Sequence, residues 1–175
     1  GTAALKEGLD VRVSEIHGMA QRGGSVVCHV RVGEGVCAPT VLDGHADVLV
    51  ALEPVEALRA IRFLGPRSLA LVSTRPIRPV MVSLGMCSYP SLEQVQELLR
   101  ASAGKVLLVD ALRLAEEAGN LITQNMVMAG ALSATGAFPA SREAMVEAMR
   151  ELLPPKYLEV NLRAFELGER AVGRR

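Results

Sequence analysis

Apolar and polar residues alternate over 10–14 (DVRVS) and again over 25–32 (SVVCHVRV), the two-residue period of strands with one covered face. Asp47–Leu52 (DVLVAL), 68–73 (SLALVS) and 105–111 (KVLLVDA) are instead nearly unbroken apolar runs, as strands covered on both faces require. Between these runs the period changes to that of a helix. Glu53-Pro54 opens one, with Val55, Leu58 and Ile61 at helical spacing, and Ser91 with Gln94 forms a capping-box pair ahead of Leu92, Val95, Leu98 and Leu99 on one face. After the Pro-punctuated segment at Pro76 and Pro79, VMVSLG reads as an edge strand or its lead-in. Strand and helix patterns thus alternate to about Leu114, which predicts an α/β, Rossmann-like three-layer domain with a mostly parallel sheet.

The last third carries no strand pattern. Asn120–Thr135 reads as a helix rich in small residues, Ser141 caps another bearing Met145, Ala148, Met149 and Leu152, and Tyr157–Val172 forms a last one after Pro154-Pro155. At the other end, Thr2–Glu7 reads as the closing turns of a helix stopped by Gly8, so the chain is expected to begin in mid-element. Residues 1–175 show no linker or repeat, and a single domain is expected.

Composition removes several function classes. Lys plus Arg equals Asp plus Glu at 19 each and the basic residues are scattered, so no footprint for a nucleic-acid backbone exists. No apolar window approaches a membrane span, and no secretory signal is visible, which points to the cytoplasm. Cys28, Cys37 and Cys87 are isolated from one another; they read as small buried hydrophobes in a reducing compartment rather than as a disulfide framework, zinc site or iron–sulfur motif. His17, His29 and His45 lack ligand spacing, so no metal site is expected; His29 reads as structural and His45 as solvated. Glu116, Glu117, Glu143, Glu147 and Glu151 have the spacing of solvated helical faces.

Two places retain candidate chemistry, and no catalytic residue can be assigned in either. Between the first two strands lies EIHGMAQRGGSV, in which His17, Gly18, Met19, Gln21, Arg22, Gly23, Gly24 and Ser25 combine a strand-end imidazole, amide and guanidinium donors, and glycines that allow close backbone approach. An anion, a carboxylate or a partner's backbone would suit it equally, and so would a long glycine-bent hairpin with no ligand. Thr123, Gln124 and Asn125 precede an apolar helix and can be its cap alone or a secondary site.

The segments EIHGMAQRGGSVVCHVRVGEG, LEPVEALR, NMVMAGALSATG and KYLEVNLRAFELG together resemble the small (beta) subunits of indolepyruvate:ferredoxin oxidoreductases, within the gamma-subunit family of 2-oxoacid:ferredoxin oxidoreductases. The resemblance runs nearly end to end. Arg22, Gly23 and Gly24 match the family-wide part, and His17 to Gln21 the part typical of the indolepyruvate branch. It implies oxidative decarboxylation of an arylpyruvate to an acyl-CoA with reduction of ferredoxin. It also implies that thiamine diphosphate and the iron–sulfur clusters belong to a large subunit, so that this chain alone binds no cofactor and is inactive. Family members begin with a strand and a Gly-Gly-Gln-Gly turn, and this chain starts after that point. The loop is then expected to be a docking element facing the large subunit near its thiamine site, with Gln21 and Arg22 as donors. A pyruvate or branched-chain 2-oxoacid enzyme, or a stand-alone nucleotide- or CoA-binding module, is the alternative; a homodimer is compatible with either.

Overall fold

The computed structural model describes residues 1–18 and 24–173. Three strands, β3 (Val48–Ala51), β4 (Leu69–Ser73) and β5 (Lys105–Val109), pair in parallel in that order. Because successive parallel strands are added on the same side, right-handed crossovers place their connecting helices on one face. α2 (Pro54–Arg59) and α4 (Leu92–Ser102) accordingly pack on Ala51, Ala70 and Val72 through Ala57, Val95 and Leu99. The alternate residues, Leu69, Leu71, Leu107 and Val109, face the opposite layer of α5 (Ala111–Ala118), α6 (Gln124–Thr135) and α8 (Pro155–Gly173). β4 is buried at every position, which is why its sequence has no polar phase.

α6 and α8 approach unusually closely. A Cβ on Gly130 would stand 1.9 Å from the carbonyl oxygen of Phe165, and one on Gly168 1.9 Å from that of Val127. Paired in this sense, the two helices run antiparallel with backbone against backbone, which is what the small-residue pattern of α6 accommodates. Phe165, Val127 and Met128 fill the space beside the contact and are fully buried.

β1 (Asp10–His17) and β2 (Val26–Gly33) do not join this sheet but form a separate antiparallel ribbon, with Val13 opposite Val30 and His17 opposite Val26. α1 (Thr2–Lys6) and α7 (Arg142–Leu152) cover its base in a small alanine-lined cluster that takes in Val11 and Val32. His29 is buried on the other face, its ring edge-on to Phe63 at 4.9 Å and its Nδ1 accepting from the Val41 N–H at 3.0 Å. That acceptor role leaves the proton on Nε2, which is buried without a hydrogen-bond partner.

Four expectations are corrected. VMVSLG forms a helix, α3 (Val80–Ser83), with Pro79 setting the extended backbone of its N-cap; none of its residues is buried. The three cysteines are exposed rather than buried, since Cys28 points away from the His29 face of the ribbon and Cys37 and Cys87 lie in loops. Thr123, although at the N-cap of α6, makes no side-chain cap; its hydroxyl donates back to Asn120 O at 2.7 Å. Glu53, Ser91 and Ser141 cap the helices that the sequence places after them, and Asp110, expected inside a strand over 105–111, instead ends β5 and caps α5; each accepts from the backbone N–H three residues on.

Candidate functional site

In an open parallel sheet the carboxyl ends of the strands are where chain and ligand chemistry gather. Here that edge comprises Leu52 and Glu53 after β3, Ser73 at the end of β4 with Thr74 and Arg75 after it, and Asp110 after β5. Gln124, at the start of α6, reaches across it: its Nε2 donates to Leu52 O at 2.9 Å and to the fully buried Ser73 hydroxyl at 3.2 Å. Of the Thr123–Asn125 triplet, Gln124 alone is tied to the sheet. Asn125 is exposed and its Oδ1 accepts from the next backbone N–H.

Arg75 donates through Nε to both Asp110 oxygens, at 3.1 and 3.3 Å, while Asp110 also caps α5 through the Arg113 N–H. Burial pushes the Asp110 carboxyl up, but the hydrogen bonds and charges of Arg75 and the Arg113 N–H outweigh it and hold the group below the usual Asp range.

Glu53 is the residue that sequence reading missed. It is buried, and both its oxygens are used: Oε2 accepts from the Glu56 N–H at 2.9 Å, and Oε1 accepts from the Ile77 N–H at 3.3 Å and from the Tyr89 hydroxyl. Burial, then the hydrogen bond and charge of Glu53, push the Tyr89 phenol well above its ordinary value, so it stays a donor. Tyr89 also lines a groove of about 270 Å³ with Pro54, Thr74, Arg78 and Ser91, which opens at the ends of β3 and β4. A larger hollow of about 360 Å³ is lined by α8 alone, between Pro155 and Glu166, with no residue from a second element to define a site. The one sequence signal for Glu53 was its position before Pro54, which marks a cap and says nothing of burial.

Of the loop between β1 and β2, His17, Gly18, Gly24 and Ser25 are described, whereas Met19, Gln21, Arg22 and Gly23 lie outside the described residues. His17 is exposed at the ribbon's end, its Nε2 3.4 Å from Glu15 Oε2. Ser25 donates its hydroxyl to Glu56 Oε2 on α2, which connects the ribbon's end to the body. The Cys28 thiol is pushed up, first by burial and then by Glu15 facing it across the ribbon, although the residue as a whole is exposed. Both shifts keep it protonated and a weak nucleophile. Among the described residues, no three His, Cys, Asp or Glu side chains converge as a metal site would require, and no helix is long and apolar enough to cross a membrane.

Residues 1–171 match the family described as pyruvate ferredoxin/flavodoxin oxidoreductase. The chain is similar to two proteins named indolepyruvate oxidoreductase subunit IorB, from Thermococcus kodakarensis and Pyrococcus horikoshii; each is 49% identical over 98% of this chain and 85% of the relative. A protein named pyruvate/ketoisovalerate oxidoreductases common subunit gamma, also from Thermococcus kodakarensis, is more distant at 28% identity over 94% of this chain and 82% of its own length. Among solved structures, the gamma subunit of a keto/oxoacid ferredoxin oxidoreductase from Geobacter sulfurreducens superposes with a TM-score of 0.66, covering 98% of this chain and 85% of that one at 22% identity. That likeness concerns the fold, and it embraces the parallel sheet and the helical C-terminal part found here. With the family match spanning nearly every residue and close relatives at almost half identity, the chain belongs to the pyruvate ferredoxin/flavodoxin oxidoreductase family.

Proposed function

We propose that this chain is the small, non-redox subunit of a thiamine-dependent indolepyruvate (arylpyruvate):ferredoxin oxidoreductase, a single domain that completes a site carried mainly by a large subunit. The observation that carries the reading is the gap in identity. Relatives named for indolepyruvate stand at 42–49%, against 28% for one named for pyruvate and ketoisovalerate and 32% for one named for 2-oxoglutarate. The reaction would convert an arylpyruvate, CoA and oxidised ferredoxin to an acyl-CoA, carbon dioxide and reduced ferredoxin. Thiamine diphosphate, iron–sulfur clusters and CoA are assigned to the complex, in keeping with three dispersed cysteines that gather no cluster donors here. The ribbon end from His17 to Ser25 is the proposed docking element, with Gln21 and Arg22 as donors towards the large subunit. The complex is placed in the cytoplasm.

The test is to co-express the chain with its large subunit and follow ferredoxin reduction with indolepyruvate, phenylpyruvate, pyruvate and 2-oxoglutarate. Turnover should favour the aryl substrates and be absent from either subunit alone. Arg22→Ala should weaken assembly or turnover by roughly 10-fold or more, as loss of a charge-assisted contact at an interface does. Preference for pyruvate would reassign the substrate, and unchanged assembly and turnover in Arg22→Ala would remove the loop from the interface.

A further inference from the structure

Glu53 and Glu56 stand at the N-cap and in the first turn of α2 and use their carboxylates in opposite directions. Glu56 Oε2 accepts from Ser25 at the ribbon's end, while its Oε1 accepts from Arg59 at 2.8 Å. Its backbone N–H donates to Glu53 Oε2, and Glu53 Oε1 takes the Tyr89 hydroxyl and the Ile77 N–H. Among the described residues, no cation lies within ion-pair distance of Glu53. A carboxylate buried in this way is tolerated only while its oxygens are hydrogen-bonded, so its donors are held as firmly as they hold it.

Beyond the Arg75–Asp110 ion pair at its start, the segment attached through these donors is largely exposed. α3 buries no side chain, and Ile77, Val80, Leu84 and Met86 are 66–72% exposed. On the far side, the two-stranded ribbon is packed at its base by α1 and α7, and its Ser25 end is tied to the body through Glu56. Both segments therefore meet on one helical turn, and the hydrogen bonds between them are contiguous.

We propose that the first turn of α2 is a strut: Glu53 and Glu56 are positioning residues through which the ribbon end at Ser25 and the segment Arg75–Tyr89 fix each other. A partner seated on the ribbon end then orders the wall of the groove at the ends of β3 and β4, and a change in that wall is felt at the ribbon. The last step rests on the docking role proposed above; the strut itself does not.

Hydrogen–deuterium exchange on the full chain reads the coupling directly. Tyr89→Phe and Ser25→Ala each remove one hydroxyl and leave the fold's apolar contacts in place. Tyr89→Phe should speed exchange not only in 76–89 but also at Ser25 and Val26, and Ser25→Ala should do the reverse, each by at least about fivefold, the low end of ordinary coupling between sites. β4 and β5 should not change. Glu53→Gln should loosen both sides, and Glu53→Asp should restore part of the protection. Effects confined to the mutated side would overturn the strut, and so would a uniform rise that includes β4, which is plain destabilisation. With the large subunit present, exchange in 76–89 should slow in the wild type and not in Ser25→Ala; equal slowing in both overturns the relay to the partner. If Arg22→Ala leaves assembly intact while the reciprocal exchange persists, the docking role fails and the strut stands.

Discussion

Asp110 joins two tasks in one side chain, as the cap of α5 and the partner of Arg75, and the consequence is a defined pH dependence. Its carboxyl lies below the ordinary value of 3.8 in the folded chain, so the unfolded chain binds the proton first. The stability it contributes is therefore present above that value and is lost as pH falls through the lower, folded one. Asp110→Asn keeps a capping oxygen and removes the charge. The variant should be less stable than the wild type at neutral pH, and the difference should shrink towards zero in acid denaturation below about pH 3.8. A constant difference across that range would assign the effect to geometry rather than ionisation. Gln124 makes a different point at the same scale. Its place at a helix start was legible, but its bonds to Leu52 and Ser73 join residues 72 and 51 positions away, which no local pattern encodes.

Elements were legible wherever a local physical rule decides them. The Ser91–Gln94 capping box is formed in both directions, with Ser91 accepting from Gln94 N–H at 3.3 Å and Gln94 Oε1 accepting from Ser91 N–H at 2.8 Å. Ser91→Ala should cost about 1 kcal/mol, seen as a lower urea midpoint at unchanged slope. The apolar runs of β3, β4 and β5 were equally plain as strands, although only β4 is buried at every position and Val50 of β3 is exposed. Reading failed where a tertiary partner decides the outcome. VMVSLG has the composition of a strand, yet it follows Pro79, buries no side chain against the sheet and closes into one helical turn. Period two identified β1 and β2, but a period does not say which sheet a strand joins. The buried role of Glu53 was invisible for the same reason, since its phenol partner lies 36 residues away.

For the molecule as a whole, the layer over Leu69, Leu71, Leu107 and Val109 depends on α6 and α8 meeting backbone to backbone. Gly130→Ala and Gly168→Ala each place a methyl carbon on a carbonyl oxygen, so the helices must part and the whole layer loosens. Each should cost roughly 1–3 kcal/mol in chemical denaturation. The double variant should cost less than the sum, because one separation relieves both clashes. Additive losses would mean that the two contacts yield independently. The order of synthesis gives this interlock one more meaning. β3, β4 and β5 leave the ribosome well before residues 155–173, and chain growth at about 5–20 residues per second leaves one apolar sheet face without its α8 cover for seconds. A nascent chain stalled between α6 and α8 would present that face to whatever it meets first, which makes this stretch of translation the interval in which a chaperone has something to hold.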